Sequence, residues 1–118
     1  MRDSQFYEEF AAKWIEAWKS HDIERILSHY NESFEFSSPF LAKFIPDSGG
    51  KLKAKEVVGA YWSKALAARP ELHFELIAVL KGVESVLIYY EWLGGKLCAE
   101  FFVFGDDGKV IESHAHGE

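Results

Sequence analysis

Four stretches of strand character fill residues 72–116, and only three short, glycine-bearing turns separate them: Lys81-Gly82, Gly94-Gly95 and Asp106-Asp107-Gly108. Turns this short can join only antiparallel neighbours, because a parallel crossover takes a dozen residues or more. The spacing therefore predicts an antiparallel meander with strands at about 72–80, 83–93, 96–104 and 109–116. The third of these, Leu97-Cys98-Ala99-Glu100-Phe101-Phe102-Val103-Phe104, is apolar on both faces. Leu97, Ala99, Phe101 and Val103 point one way; Cys98, Glu100, Phe102 and Phe104 point the other. An antiparallel sheet usually leaves one face wet. Two apolar faces predict that helices cover one and a second copy of the chain covers the other.

The first half supplies those helices. Phe6, Phe10, Trp14 and Trp18 recur every four residues, the stripe of an amphipathic helix over 4–19 that Asp3 or Ser4 can cap. Ile23, Ile26, Leu27 and Tyr30 mark a shorter second helix, and residues 33–38 alternate as a strand that Pro39 stops. Val58, Tyr61, Trp62, Ala65 and Leu66 form the buried stripe of a third helix over 54–68. Between them, residues 39–53 read as a long connection with Pro39, Pro46, Gly49 and Gly50 as breakers. Its apolar residues, Phe40, Leu41, Phe44 and Ile45, serve either to cap the core or to form a lid over a pocket mouth. The order α-α-β-α-β-β-β-β makes one α+β domain over residues 1–118.

Ten Phe, five Tyr and four Trp in 118 residues must fill a core, line a pocket or form an interface. The net charge of −6 argues against nucleic acid, which needs a basic surface. One cysteine, Cys98, excludes an internal disulfide framework and any multi-cysteine zinc site. No apolar run approaches the ~20 residues that cross a bilayer, so no membrane association is expected. The first nine residues hold no apolar stretch of the kind a secretory signal has, and a reducing cytoplasm is the expected compartment. Phosphate loops, dinucleotide fingerprints, nucleophile elbows and H-E-x-x-H pairs are all absent, so no cofactor and no metal is expected.

The opening segment Phe10–Tyr30 and the closing segment Phe102–Glu112 resemble the nuclear-transport-factor-2-like superfamily, which includes ketosteroid isomerases and SnoaL-like polyketide cyclases. The resemblance spans essentially the whole chain. It implies a cone-shaped fold: a curved, mostly antiparallel sheet wrapped on three helices, with an internal apolar pocket. It also implies a homodimer. Carried over position by position, the isomerase base falls on Ser38 before Pro39, the oxyanion-hole tyrosine on Trp14 and the protonated aspartate on Glu100. A serine is no base without a partner, and an indole has no titratable hydroxyl. Ordinary ketosteroid isomerase activity is therefore not expected.

Glu100 stands out as a carboxyl among apolar neighbours, which must be neutral or hydrogen-bonded. His114 and His116 share one face of the last strand, but the Asp106-Asp107-Gly108 turn leaves that face open. One register sets Glu100 opposite Ala115 and sends both histidines outward; a bulged alternative sets it opposite His114. Glu100 and His114 are the candidate catalytic pair under the second. Trp14, Ser38, Tyr61, Trp62, Tyr90, Phe102 and His116 are the expected pocket lining. The expected function is to bind a small, largely apolar molecule, either with isomerase-, dehydratase- or cyclase-type acid/base chemistry or as a non-catalytic binding or protein-interaction module.

Overall fold

A computed structural model describes residues 2–118. The aromatic stripe forms helix α1 (Ser4–Ser20), whose start is capped by Asp3, its carboxylate accepting from the Phe6 amide at 2.9 Å. His21 ends it in the left-handed region, and Asp22 then caps the single-turn helix α2 (Ile23–Leu27). The helical spacing that runs on to Tyr30 is misleading. Tyr30 opens strand β1 (Tyr30–Ser37) instead, buried against Phe34 with ring centroids 4.4 Å apart.

The connection at 39–53 is not the irregular loop its breakers suggest. Ser38 and Pro39 together start helix α3 (Pro39–Phe44), with proline at a position where its missing amide costs nothing. A 3-10 turn follows, and then strand β2 (Lys51–Lys53), which pairs antiparallel with β1. Helix α4 (Lys55–Ala68) returns the chain across the sheet. The expected three helices and five strands thus become four and six.

The meander is β3 (Glu75–Lys81), β4 (Ser85–Glu91), β5 (Leu97–Phe104) and β6 (Val110–Gly117). One curved sheet runs in the order β2-β1-β6-β5-β4-β3, with β1 and β6 its parallel pair. Helix α1 packs on the inner face, where Phe10 and Trp14 meet Phe102 at 5.2 and 5.1 Å between ring centroids. Val86, Ile88 and Tyr90 of β4 and Cys98, Glu100, Phe102 and Phe104 of β5 are all buried there. The opposite face is open in the protomer: Leu80 is 57% exposed and Phe101 38%.

A bulge settles the register of β6. Phe104 faces Val110, but Val103 faces Glu112, so Ile111 is an extra residue in the ladder. Without it, regular pairing from Phe104 and Val110 would have set Glu100 opposite His114. With it, Glu100 faces Ala115, Phe101 faces His114 and Ala99 faces His116. Among the described residues, no helix is long and apolar enough to cross a membrane.

Candidate functional site

Glu100 lies on the inner face of β5, 4% exposed, one strand from Tyr90. Tyr90 pairs directly with Cys98, so its side chain reaches Glu100 diagonally. Its hydroxyl donates to Glu100 Oε1 at 3.1 Å and accepts from Cys98 Sγ–H at 3.1 Å. A buried relay thus runs from thiol to phenol to carboxyl. Burial pushes the Glu100 carboxyl up to about 7, while the Tyr90 hydrogen bond restrains the rise. Burial also pushes the Cys98 thiol up to about 11, so it is a proton-bearing donor and not a nucleophile.

A second phenol stands nearby. Tyr30 is fully buried, and its acidity is suppressed by burial first and by the charge of Glu100 second. Trp14 Nε1–H donates to the Tyr30 hydroxyl at 2.8 Å. The position that the isomerase pattern gives to a tyrosine is thus occupied by an indole that holds a tyrosine from β1. Helical periodicity concealed Tyr30. A sequence signal for it was its spacing from the apolar Phe34, four residues on in the same strand.

The remaining sequence candidates divide between the two faces. Trp14, Trp62, Tyr90 and Phe102 are buried on the inner side, and Tyr61 on α4 is half-buried against the same core. Ser38 is buried, but its hydroxyl accepts from the Phe40 amide at 3.2 Å, a helix cap in place of a base. His114 and His116 lie on the outer face. Of the two registers the sequence leaves open, the structure takes the one that sets Glu100 opposite Ala115, which corrects the candidate pairing of Glu100 with His114 and the placing of His116 in the pocket. His114 meets Ser37 Oγ through Nδ1 at 2.6 Å and Glu112 Oε1 through Nε2 at 3.1 Å. His116 is exposed.

Rings occupy the space around Glu100. Trp14 is ringed by Phe74, Tyr90 and Phe102 at 5.5, 5.3 and 5.1 Å, and Trp62 packs on Tyr30 and Phe36 at 5.2 Å each. Two surface depressions among the described residues lie elsewhere, one beside Arg2, Tyr7 and Lys81, the other beside His21, Ile23 and Leu66. Among the described residues, the buried Tyr7 and Ser113 hydroxyls, the indole N–H groups of Trp18 and Trp92 and Arg2 Nε have no hydrogen-bond partner within the protein. The chemistry available inside is therefore that of a carboxyl pushed up to about 7, two phenols and a few unpartnered donors packed among aromatic rings.

Comparison with known proteins agrees with this architecture. A family model described as a SnoaL-like domain matches residues 11–113. A SnoaL-like protein of unknown function from Burkholderia thailandensis is 46% identical, with a TM-score of 0.95 over 98% of this chain and 97% of that one. The epoxide hydrolase/cyclase-like enzyme SalBIII, described as acting in pyran ring formation in the polyether salinomycin, superposes at a TM-score of 0.79. Its identity is 14%, over 100% of this chain and 95% of its own. A protein from Agrobacterium tumefaciens, described provisionally as a SnoaL-like isomerase, gives 0.77 at 11% identity, over 97% of this chain and 98% of that one. A comparison with curated proteins returns no match. With the family model covering most of its length and the cone-shaped α+β fold in place, the chain belongs to the SnoaL-like family of the nuclear-transport-factor-2-like superfamily.

Proposed function

We propose that this protein binds a small, largely apolar molecule bearing one hydrogen-bonding oxygen, with Glu100 as the proton-bearing group that meets it. The observation that carries this is the carboxyl itself, buried among aromatic rings and titrating near neutrality. A neutral acid in an apolar site donates a strong hydrogen bond and can pass a proton to a developing oxyanion. Tyr90 would then stabilise the carboxylate that remains. Such a site suits isomerase-, dehydratase- or cyclase-type steps, and the cyclase-like and isomerase-like proteins of the same fold are in keeping with it.

A non-catalytic binding module is the second reading, and a specific observation favours it. The chain's own rings fill the interior, and among the described residues no histidine hydrogen-bonds to Glu100. Glu100→Gln and Glu100→Ala distinguish the two. Thermal-shift screening with a panel of aromatic ketones, phenols and epoxides identifies a binder, since ligand at 100 times its Kd stabilises by about 2.7 kcal/mol. The acid/base reading expects Glu100→Gln to keep that shift, because the amide still donates, and to abolish conversion of the bound compound. If the wild type binds compounds but converts none of them, the module reading stands. A shift that survives Glu100→Ala unchanged removes Glu100 from the site.

The protein is also proposed to work as a homodimer through the outer sheet face. The support is the apolar row Leu80, Leu87 and Phe101, set side by side across β3, β4 and β5. The free, buried thiol of Cys98 suits a reducing compartment such as the cytoplasm.

A further inference from the structure

The outer face carries a second cluster that the interior site does not use. Glu35 on β1 and Glu112 on β6 are direct partners in the parallel pair, and His114 follows two residues on, on the same face. One carboxylate oxygen from each glutamate and one ring nitrogen of His114 lie within 4.8 Å of one another, all on half-buried side chains. Two like charges directly opposite on adjacent strands destabilise a sheet unless a cation offsets them. Lys53 stands on the far side of Glu35, in β2.

We infer that Glu35, Glu112 and His114 form a binding site for a divalent first-row transition ion, with Zn²⁺ the best-suited member. Three features support it. The donor set is mixed oxygen and nitrogen, which suits zinc or its neighbours better than magnesium or calcium. Ligands bound at about 2.0–2.2 Å around a tetrahedral ion stand about 3.4 Å apart. His114 Nε2 and Glu112 Oε1 are already 3.1 Å apart, and half-exposed glutamates can close the rest by rotation. Finally, the histidine is oriented from behind: Ser37, its cross-strand partner, stands 2.6 Å from Nδ1. When an ion takes the place of the Nε2–Glu112 hydrogen bond, Nδ1–H can donate to that hydroxyl and leave the Nε2 lone pair for the ion, the usual arrangement of a metal-bound imidazole. The dication neutralises both carboxylates, and three protein ligands leave a position for water or an external anion.

The same Ile111 bulge that takes His114 out of the interior sets it and Glu112 together on the outer face, where Glu112 pairs with Glu35. The inference stands whether or not Glu100 acts as proposed, because the two clusters lie on opposite faces. Chelator-treated protein titrated with Zn²⁺ by calorimetry, and with Co²⁺ by visible absorption, tests it. One ion per protomer is expected. Glu35→Gln, Glu112→Gln and His114→Ala should each weaken binding at least tenfold, and Ser37→Ala roughly 10- to 100-fold. His116→Ala should change nothing. Thermal melts of the metal-free variants establish that each is folded. The inference is overturned if neither ion binds, if binding survives His114→Ala, or if His116→Ala abolishes it while Glu35→Gln does not.

Discussion

Glu100 is the residue on which the interior depends. An ordinary glutamate titrates near 4.5; here burial lifts it to about 7. Its folded pKa lies above its unfolded one, so the native state binds this proton more tightly. The contribution to stability is complete below pH 4.5 and is lost as pH rises through about 7. At about 1.4 kcal/mol per pH unit, the loss across that window is roughly 3 kcal/mol. Glu100→Gln should remove most of this slope, which denaturant unfolding at pH 5 and pH 8 will read directly; an unchanged slope would assign it to other groups. Tyr90→Phe takes away a donor that favours the carboxylate, so the Glu100 pKa should move further up, by on the order of one pH unit. Ser38 is a contrasting case. It stands where the isomerase pattern has a base, yet it caps α3. Ser38→Ala should cost about 1 kcal/mol of stability and leave the Glu100 titration untouched. A shifted titration would return Ser38 to the site.

At the scale of elements, what was legible depended on the length of the pattern. The α1 stripe runs over four turns, and the meander repeats its turn chemistry three times, so both were readable from residues alone. Short elements were not. Tyr30 fits a helical repeat as well as a strand start, and tertiary packing on Phe34 decides. Pro39 is as good a helix opener as a strand stopper, and Ser38 before it tips the balance. Most consequential is the β5–β6 hairpin. Val110 and Ile111 are both apolar, so alternation could not show which of them enters the ladder. Val110 is fully buried and Ile111 is 36% exposed, and that single residue decides the face of every side chain after it. Deleting Ile111 should therefore be tolerated: the ladder becomes regular and Glu112–His116 keep their faces. The variant is expected to fold with a stability within about 1.5 kcal/mol of the wild type. Inter-strand NMR contacts between Glu100 and Ala115 will show the retained register; contacts between Glu100 and His114 would show the opposite.

At the scale of the whole molecule, the sheet divides two chemistries. Its inner face holds aromatic rings around a carboxyl that burial pushes up to about 7; its outer face holds an apolar row beside a cluster of carboxylates and imidazole. That apolar row is the basis for expecting a dimer. Light scattering at micromolar concentration should give twice the 13.5 kDa protomer mass. Phe101→Asp, which would bury an unpaired charge against the partner, should give a monomer. A monomeric wild type would leave the exposed Leu80 and Phe101 unexplained by self-association. The inner face rests on one property, that Glu100 exchanges its proton near neutral pH instead of near 4.5. Site-specific titration of ¹³C-labelled glutamate carboxyls by NMR, with Glu100→Gln to assign the signal, measures it directly. A Glu100 midpoint near 7, well above the other glutamates, is the expected result; a midpoint at or below 5 would mean that Glu100 is an ordinary carboxylate and that the interior has no acid to offer.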